Sequence, residues 1–153
     1  MDESEARRFG LALMEKAETA YLTTVGPNGF PQVRAMLNLR NRMLWPALAV
    51  VFDGHQRDLL MYFSTNTSSA KVAQIKANPK VSVYFCDPAH FQGLMLAGTI
   101  EIITDSQLKR QIWQDGWEVY YPGGVNDPDY TLLRLLPTLA KGWNGERPFG
   151  FTL

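Results

Sequence analysis

Phe63-Ser64-Thr65-Asn66-Thr67-Ser68-Ser69-Ala70-Lys71, a short helical run, and then Asn78-Pro79-Lys80-Val81-Ser82-Val83 decide how the rest of this chain is read. A strand over Leu59 to Ser64 runs into a loop crowded with hydroxyls, and a helix starts with a lysine in its first turn. Val72 and Ile75 give that helix an apolar side. Pro79 ends it near Asn78, because proline holds the preceding residue in extended geometry. The next strand runs over Val81 to Cys86. The free N–H groups and positive dipole end of a helix N-terminus favour an anion. Thr65, Thr67, Ser68 and Ser69 can each donate a hydroxyl hydrogen bond, and Lys71 adds the full charge that a phosphate dianion requires. The same hydroxyls serve equally as helix N-caps, so capping and phosphate binding both stay open on these residues alone.

Outward from this stretch the chain reads mainly as strands. Ala6, Phe9, Leu13 and Ala17 recur at helical spacing between charges, which predicts an amphipathic helix over Asp2 to Glu18. Thr19 to Val25 and Phe30 to Leu39 flank the turn signal Pro27-Asn28-Gly29 and predict a hairpin. Ala47 to Phe52 reads as a further β-like run, and Asp53 to Asp58 as a turn. Gly93 to Ile103 is a long apolar strand with Gly98 at a bend or bulge. Ser106 is placed to cap a helix reaching about Tyr120, whose Trp113 and Trp117 pack as an aromatic face against the sheet. Leu132 to Trp143 holds the last substantial strand, after a loop over Tyr121 to Pro128. Six or seven strands with a few short helices predict an antiparallel barrel in one domain spanning 1–153.

Composition narrows the function. Fifteen basic and fifteen acidic residues cancel, so no broad electrostatic footprint points to nucleic acid or an anionic membrane. No stretch approaches the roughly 20 apolar residues of a membrane span, and the acidic start Met1-Asp2-Glu3-Ser4-Glu5 has none of the features of a signal peptide. A cytoplasmic protein is expected. Cys86, the single cysteine, has no internal disulfide partner and reads as a small buried residue. His55 and His90 have no second ligand at metal spacing, and no nucleophile elbow, Walker loop or dinucleotide fingerprint occurs.

The ordered series Pro31-Gln32-Val33-Arg34-Ala35-Met36, Tyr62-Phe63-Ser64-Thr65-Asn66, Ser69-Ala70-Lys71 and Asn78-Pro79-Lys80-Val81-Ser82-Val83-Tyr84-Phe85 resembles the FMN-binding split barrels related to pyridoxamine 5'-phosphate oxidase. Trp117, Tyr121-Pro122-Gly123-Gly124, Asp127-Pro128, Leu132-Leu133-Arg134-Leu135, Pro137 and Trp143 resemble the general stress protein 26 branch. The resemblance spans about Ala20 to Trp143 and implies a six-stranded antiparallel split barrel with flanking helices, paired as a homodimer with FMN at the interface. It implies that Arg34, Ser69 and Lys71 hold the FMN phosphate. Met36, Leu37 and Asn38 would line the flavin ring through backbone groups, Ser64 and Thr65 would lie beside it, and Trp143 would approach it from the other subunit.

The same resemblance implies an FMN-dependent oxidoreductase that passes electrons between a reductant such as a reduced nicotinamide and a small-molecule substrate. The alternative is a non-catalytic flavin- or haem-binding stress protein, with His90 the only haem ligand worth naming. Three departures set the chain apart from the true oxidases. Ala70 stands where they carry a second basic residue, Gly93 stands where many carry a glutamine that reaches the flavin, and Asn144 to Phe149 lacks their basic, histidine-containing motif. Weaker FMN binding and a substrate other than pyridoxine phosphate are the expected consequences.

Overall fold

A computed structural model describes all residues, 1–153. It opens with α1 (Glu3–Lys16), started by a reciprocal pair in which the Asp2 carboxylate accepts from the Glu5 N–H and Glu5 accepts from the Asp2 N–H. There follow β1 (Thr19–Val25), β2 (Pro31–Leu37), α2 (Ala49–Phe52), β3 (Met61–Asn66), α3 (Ala70–Ala77), β4 (Lys80–Asp87), β5 (Gln92–Ile103), α4 (Ser106–Ile112), β6 (Tyr130–Asn144) and β7 (Arg147–Thr152). The protein is mainly β: six strands in the order β2-β1-β4-β5-β6-β3, every pair antiparallel, curl into a split barrel with flanking helices. No helix is long and apolar enough to cross a membrane.

β6 makes this curl possible. It pairs with β5 along its whole length, with β3 through Tyr130–Leu135 on its other edge, and with β7 through Leu139–Asn144 beyond that. Thr138, between these two partners, is the extra residue of a bulge opposite Ala97 and Gly98. Pro137 is tolerated inside the strand because it sits at this bulge, where a ladder N–H is not required. Strand β2, by contrast, is an edge strand that starts at Pro31 and is largely exposed. β2 and β3 approach one another without pairing, and this open seam splits the barrel.

Two apolar cores share β3 and the first half of β6. Met61, Phe63, Leu133 and Leu135 point into the barrel with Leu22, Val83, Phe85, Leu94 and Leu96, and α1 closes that core with Ala6, Leu13 and Met14. The alternate residues Leu60, Tyr62 and Leu132 face outward onto a second core with Phe52, Ile112, Trp117, Tyr121 and Tyr130. Burial on both faces explains why β3 carries no polar alternation until Ser64.

Four expectations need correction. Ala47 to Phe52 is helical: Pro46 opens a 3-10 turn that passes into α2, burying Leu48 and Phe52 four positions apart while Val50 faces solvent. The cap before α4 is Asp105, whose carboxylate accepts from the Gln107 and Leu108 N–H groups, and the helix stops at Ile112 well short of Tyr120. Gly116, at φ 92°, fixes a left-handed step before a separate turn over Trp117–Val119. β7 is an additional strand, reached by a tight turn at Gly145 (φ 60°), and Cys86 is only half-buried.

Gly98 is the tightest requirement of the sheet. A Cβ there would run into the Leu136 carbonyl and stand 2.9 Å from the Pro137 Cα, both backbone atoms that cannot rotate away. Gly98→Ala is expected to destabilise the protein by ~1–3 kcal/mol, read as a lower urea midpoint with an unchanged slope.

Candidate functional site

The seam between β2 and β3 opens into a cavity of about 420 Å³. One wall is Ala35, Met36, Leu37 and Asn38 from the end of β2; the other is Ser64, Thr65 and Asn66 from the end of β3, with Lys71 from the first turn of α3. Each of these residues comes from the end of a strand that is paired on one edge only, or from a helix start. Asn38 takes part through its backbone, since its buried side-chain amide donates to the Met14 and Ala17 carbonyls at 2.8 and 2.7 Å and pins the end of β2 to α1.

Arg34 and Lys71 approach each other at one end. The Arg34 Nη1 donates to the Thr24 hydroxyl at 2.7 Å and to the Gln32 carbonyl at 2.9 Å, and its Nη2 donates to Gln74 Oε1 at 3.3 Å. Thr24 and Gln32 in turn bond to Gln74, so a neutral network fixes the guanidinium. Lys71 Nζ donates to the Thr65 hydroxyl at 2.9 Å. Neither cation has a carboxylate within ion-pair distance. Burial lowers the pKa of both, and the Arg34 charge lowers that of Lys71 further. Two partly buried positive charges thus lie close together without a carboxylate partner.

The hydroxyl loop divides its labour. Thr67 donates to the Pro128 carbonyl and shares a hydrogen bond with Thr131, and the Ser68 N–H donates to Asp129, so these two residues anchor the loop to the segment before β6. The Thr67 hydroxyl is thereby withdrawn from the anion-donor role its residue type allows. Ser69 precedes α3 in extended geometry, yet its hydroxyl makes no capping bond and is buried without any partner. A buried, unpaired hydroxyl is costly, and at this position an incoming anion would satisfy it.

Of the nine expected residues, Met36, Leu37, Asn38, Ser64, Thr65 and Lys71 line the cavity; Arg34 and Ser69 do not line it, Arg34 lying close enough to Lys71 for its charge to be felt there and Ser69 standing two residues before Lys71. Trp143 does not line it either. It lies 46% exposed on β6, 6.1 Å ring to ring from Tyr84 and outside the cavity. Gly93 pairs with Trp143 across the sheet, and a side chain at Gly93 would collide with the Tyr84 ring. His55 and His90 are held by Asp58 and Asp87 at 2.8 and 2.9 Å. Trp113 and Trp117 pack edge-on at 5.8 Å in the outer core, so they serve packing as expected, although neither lies within a helix face because α4 ends at Ile112.

Sequence reasoning missed Glu18, Leu44, Trp45 and Tyr120 on the cavity wall and the Thr24–Gln32–Gln74 network. The β1–β2 register carries the signal for the network, because it sets Thr24 opposite Gln32 and Leu22 opposite Arg34.

Known proteins place this arrangement. A family model described as pyridoxamine 5'-phosphate oxidase matches residues 10–144. A solved structure of a protein related to general stress protein 26, of the pyridoxinephosphate oxidase family, from Clostridium acetobutylicum is 34% identical, with TM-score 0.80, covering 100% of this chain and 97% of its own. General stress protein 26 from Bacillus anthracis is 20% identical with TM-score 0.73, covering 97% and 99%. A pyridoxamine 5'-phosphate oxidase-related, FMN-binding protein from Nostoc punctiforme is 18% identical with TM-score 0.61, covering 96% and 85%. These last two likenesses concern the fold. No curated protein matches the chain.

The uncompensated charge at the seam has a measurable cost. The Lys71 ammonium is disfavoured in the folded protein, so the unfolded chain binds the proton more tightly and stability rises with pH between the folded and unfolded pKa values. In anion-free buffer Lys71→Met is therefore expected to be more stable than wild type in urea, with the gap closing as pH approaches the ordinary lysine value; a less stable variant at every pH would contradict this.

Proposed function

The chain belongs to the pyridoxamine 5'-phosphate oxidase family, and from that premise we propose that it is an FMN-dependent oxidoreductase acting on a small molecule other than pyridoxine phosphate. The observation that carries this reading is that Arg34 and Lys71 lie close together without a carboxylate partner where Lys71 enters the seam cavity, two residues after the unpartnered Ser69 hydroxyl. FMN presents a dianion at one end and a flat amphipathic ring at the other. Two charge-assisted donors and a free hydroxyl suit the first, and the backbone of Met36 to Asn38 facing Ser64 and Thr65 suits the second.

When bound, FMN supplies two-electron transfer between a reductant such as a reduced nicotinamide and the substrate. The residues of the chain bind, orient and shield. Arg34 is held rigid by Thr24, Gln32 and Gln74, so little ordering remains to be done when the phosphate arrives. Lys71 is steadied by Thr65, which keeps the ammonium at the cavity wall.

Homodimerisation belongs to the same proposal. The outer sheet face leaves Phe30 68%, Val33 65% and Trp143 46% exposed. Because Trp143 lies outside its own chain's cavity, it reaches a flavin ring only from a second copy. The flavin-storage alternative uses the same site and predicts flavin that no nicotinamide reduces.

Arg34→Ala or Lys71→Ala is expected to weaken FMN binding by ~1.5–3 kcal/mol, about 10- to 100-fold in Kd, measured by fluorescence titration. Affinity unchanged in both variants would show that the phosphate lies elsewhere. Light scattering at micromolar concentration is expected to give a dimer, and a monomer with bound FMN would remove Trp143 from the site.

A further inference from the structure

The acceptors around the Arg34 guanidinium are all neutral: the Leu22 and Gln32 carbonyls, the Thr24 hydroxyl and Oε1 of Gln74. Among them, only Gln74 has a relative of the same shape that would carry a full negative charge, which is glutamate. We propose that Gln74 is a positioning residue that sets the preference of the site for a phosphorylated flavin over an unphosphorylated one. Its amide orients Arg34 and leaves the positive charge for the ligand to neutralise. The inference rests on the FMN reading and concerns how strongly the phosphate is felt.

Hydrogen bonds tie Gln74 down from three sides. It lies on α3 three residues after Lys71, so the two share one side of the helix. Arginine can only donate, so the Gln74 atom 3.3 Å from Arg34 Nη2 is the amide oxygen. The same oxygen accepts from the hydroxyl of Thr24, a residue with no exposed surface, and Thr24 in turn accepts from Arg34 Nη1 at 2.7 Å. The Gln74 amide nitrogen is thereby turned toward Gln32 Oε1, to which it donates at 2.8 Å. Both polar atoms of Gln74 are satisfied within the chain, so the clamp on Arg34 is complete before any ligand arrives.

A glutamate would hold Arg34 at least as firmly. Arg7, Arg42 and Arg134 are each held by a carboxylate at 2.7–3.0 Å. At position 74 only Gln32 would have to respond, by turning its exposed amide so that the nitrogen faces the carboxylate. Shape and hydrogen bonding therefore allow either residue, and charge separates them. A carboxylate against the guanidinium cancels the charge of Arg34 and repels a phosphate brought to the same place, whereas an amide does neither. In the empty protein the amide is the less stabilising choice, because it leaves the neighbouring Arg34 and Lys71 charges without a counter-charge.

FMN and riboflavin differ by the phosphate alone, and flavin fluorescence reports the binding of each. Wild type is expected to bind FMN roughly 100-fold more tightly than riboflavin. Gln74→Glu is expected to lower FMN affinity about tenfold or more, to change riboflavin affinity less than about threefold, and to raise the urea midpoint of the flavin-free protein. Gln74→Met removes the clamp without adding charge, and is expected to cost FMN about threefold with no gain in stability. Unchanged FMN affinity in Gln74→Glu, equal losses for FMN and riboflavin, equal FMN losses in the two variants, or a Gln74→Glu protein less stable than wild type overturns the proposal and leaves the FMN reading intact. A wild-type protein that takes up no FMN overturns both.

Discussion

The seam between β2 and β3 is the constraint from which the functional geometry follows. Every other neighbouring pair in the sheet is joined by a ladder, and β6 carries three partners so that the curl can proceed around the inner core. Closing the last gap would complete the backbone hydrogen bonding of two edge strands. It would also shut Arg34, Lys71 and Ser69 inside the barrel with no counter-charge. The open seam leaves one edge of each strand unpaired at the point where α3 begins, so edge backbone, helix start and the Lys71 ammonium share one cavity. The fold forgoes local hydrogen bonding there and gains a concave polar site on rigid elements.

Much of the sheet was legible because its strands obey simple patterns. β1 and β4 alternate strictly between buried and partly exposed positions, and Gly98 in an apolar run marked the bulge. Ala47 to Phe52 was misread because a short apolar run has the same composition in a strand and in a helix, and the deciding fact, that Leu48 and Phe52 share one side, lies in a core supplied by distant segments. β7 was hidden by Pro148 and Gly150, which dilute a strand signal that pairing to β6 overrides. Asp105 and Ser106 are both good caps in adjacent positions, so residue type could not choose between them.

The candidate site was legible unevenly, for the same physical reason. The Ser/Thr loop and Lys71 are local in sequence and raise phosphate binding beside helix capping without deciding between them, whereas the convergence of Arg34 with them came only from resemblance to a family. In the fold the link is the β1–β2–α3 packing, which brings Gln74 against Thr24 and Arg34. The fate of the hydroxyls was beyond local reading. The Thr67 hydroxyl and the Ser68 N–H are spent on Pro128, Thr131 and Asp129, some sixty residues away in the chain, while the buried Ser69 hydroxyl is left unpaired. Long-range partners therefore select which of several chemically equivalent donors remains for a ligand.

A comparison among the chain's own buried cations shows why the seam pair is distinctive. Arg7, Arg42 and Arg134 each meet a carboxylate at 2.7–3.0 Å. Arg40 is the most deeply buried, with its pKa brought down to about 10 by burial, yet it donates to the Leu60 and His55 carbonyls and lies over the Phe52 ring. It serves as a staple between the segment after α2 and the start of β3. Lys109 sits over the Tyr130 ring. In each case the charge is absorbed by a partner already present, and removing the partner would leave a buried charge exposed to the full desolvation cost. Arg34 and Lys71 are the pair whose neighbours are neutral and whose nearest charge is each other. The lack of a carboxylate partner for these two cations, against the ion pairs of Arg7, Arg42 and Arg134, is the contrast on which the proposed phosphate site rests.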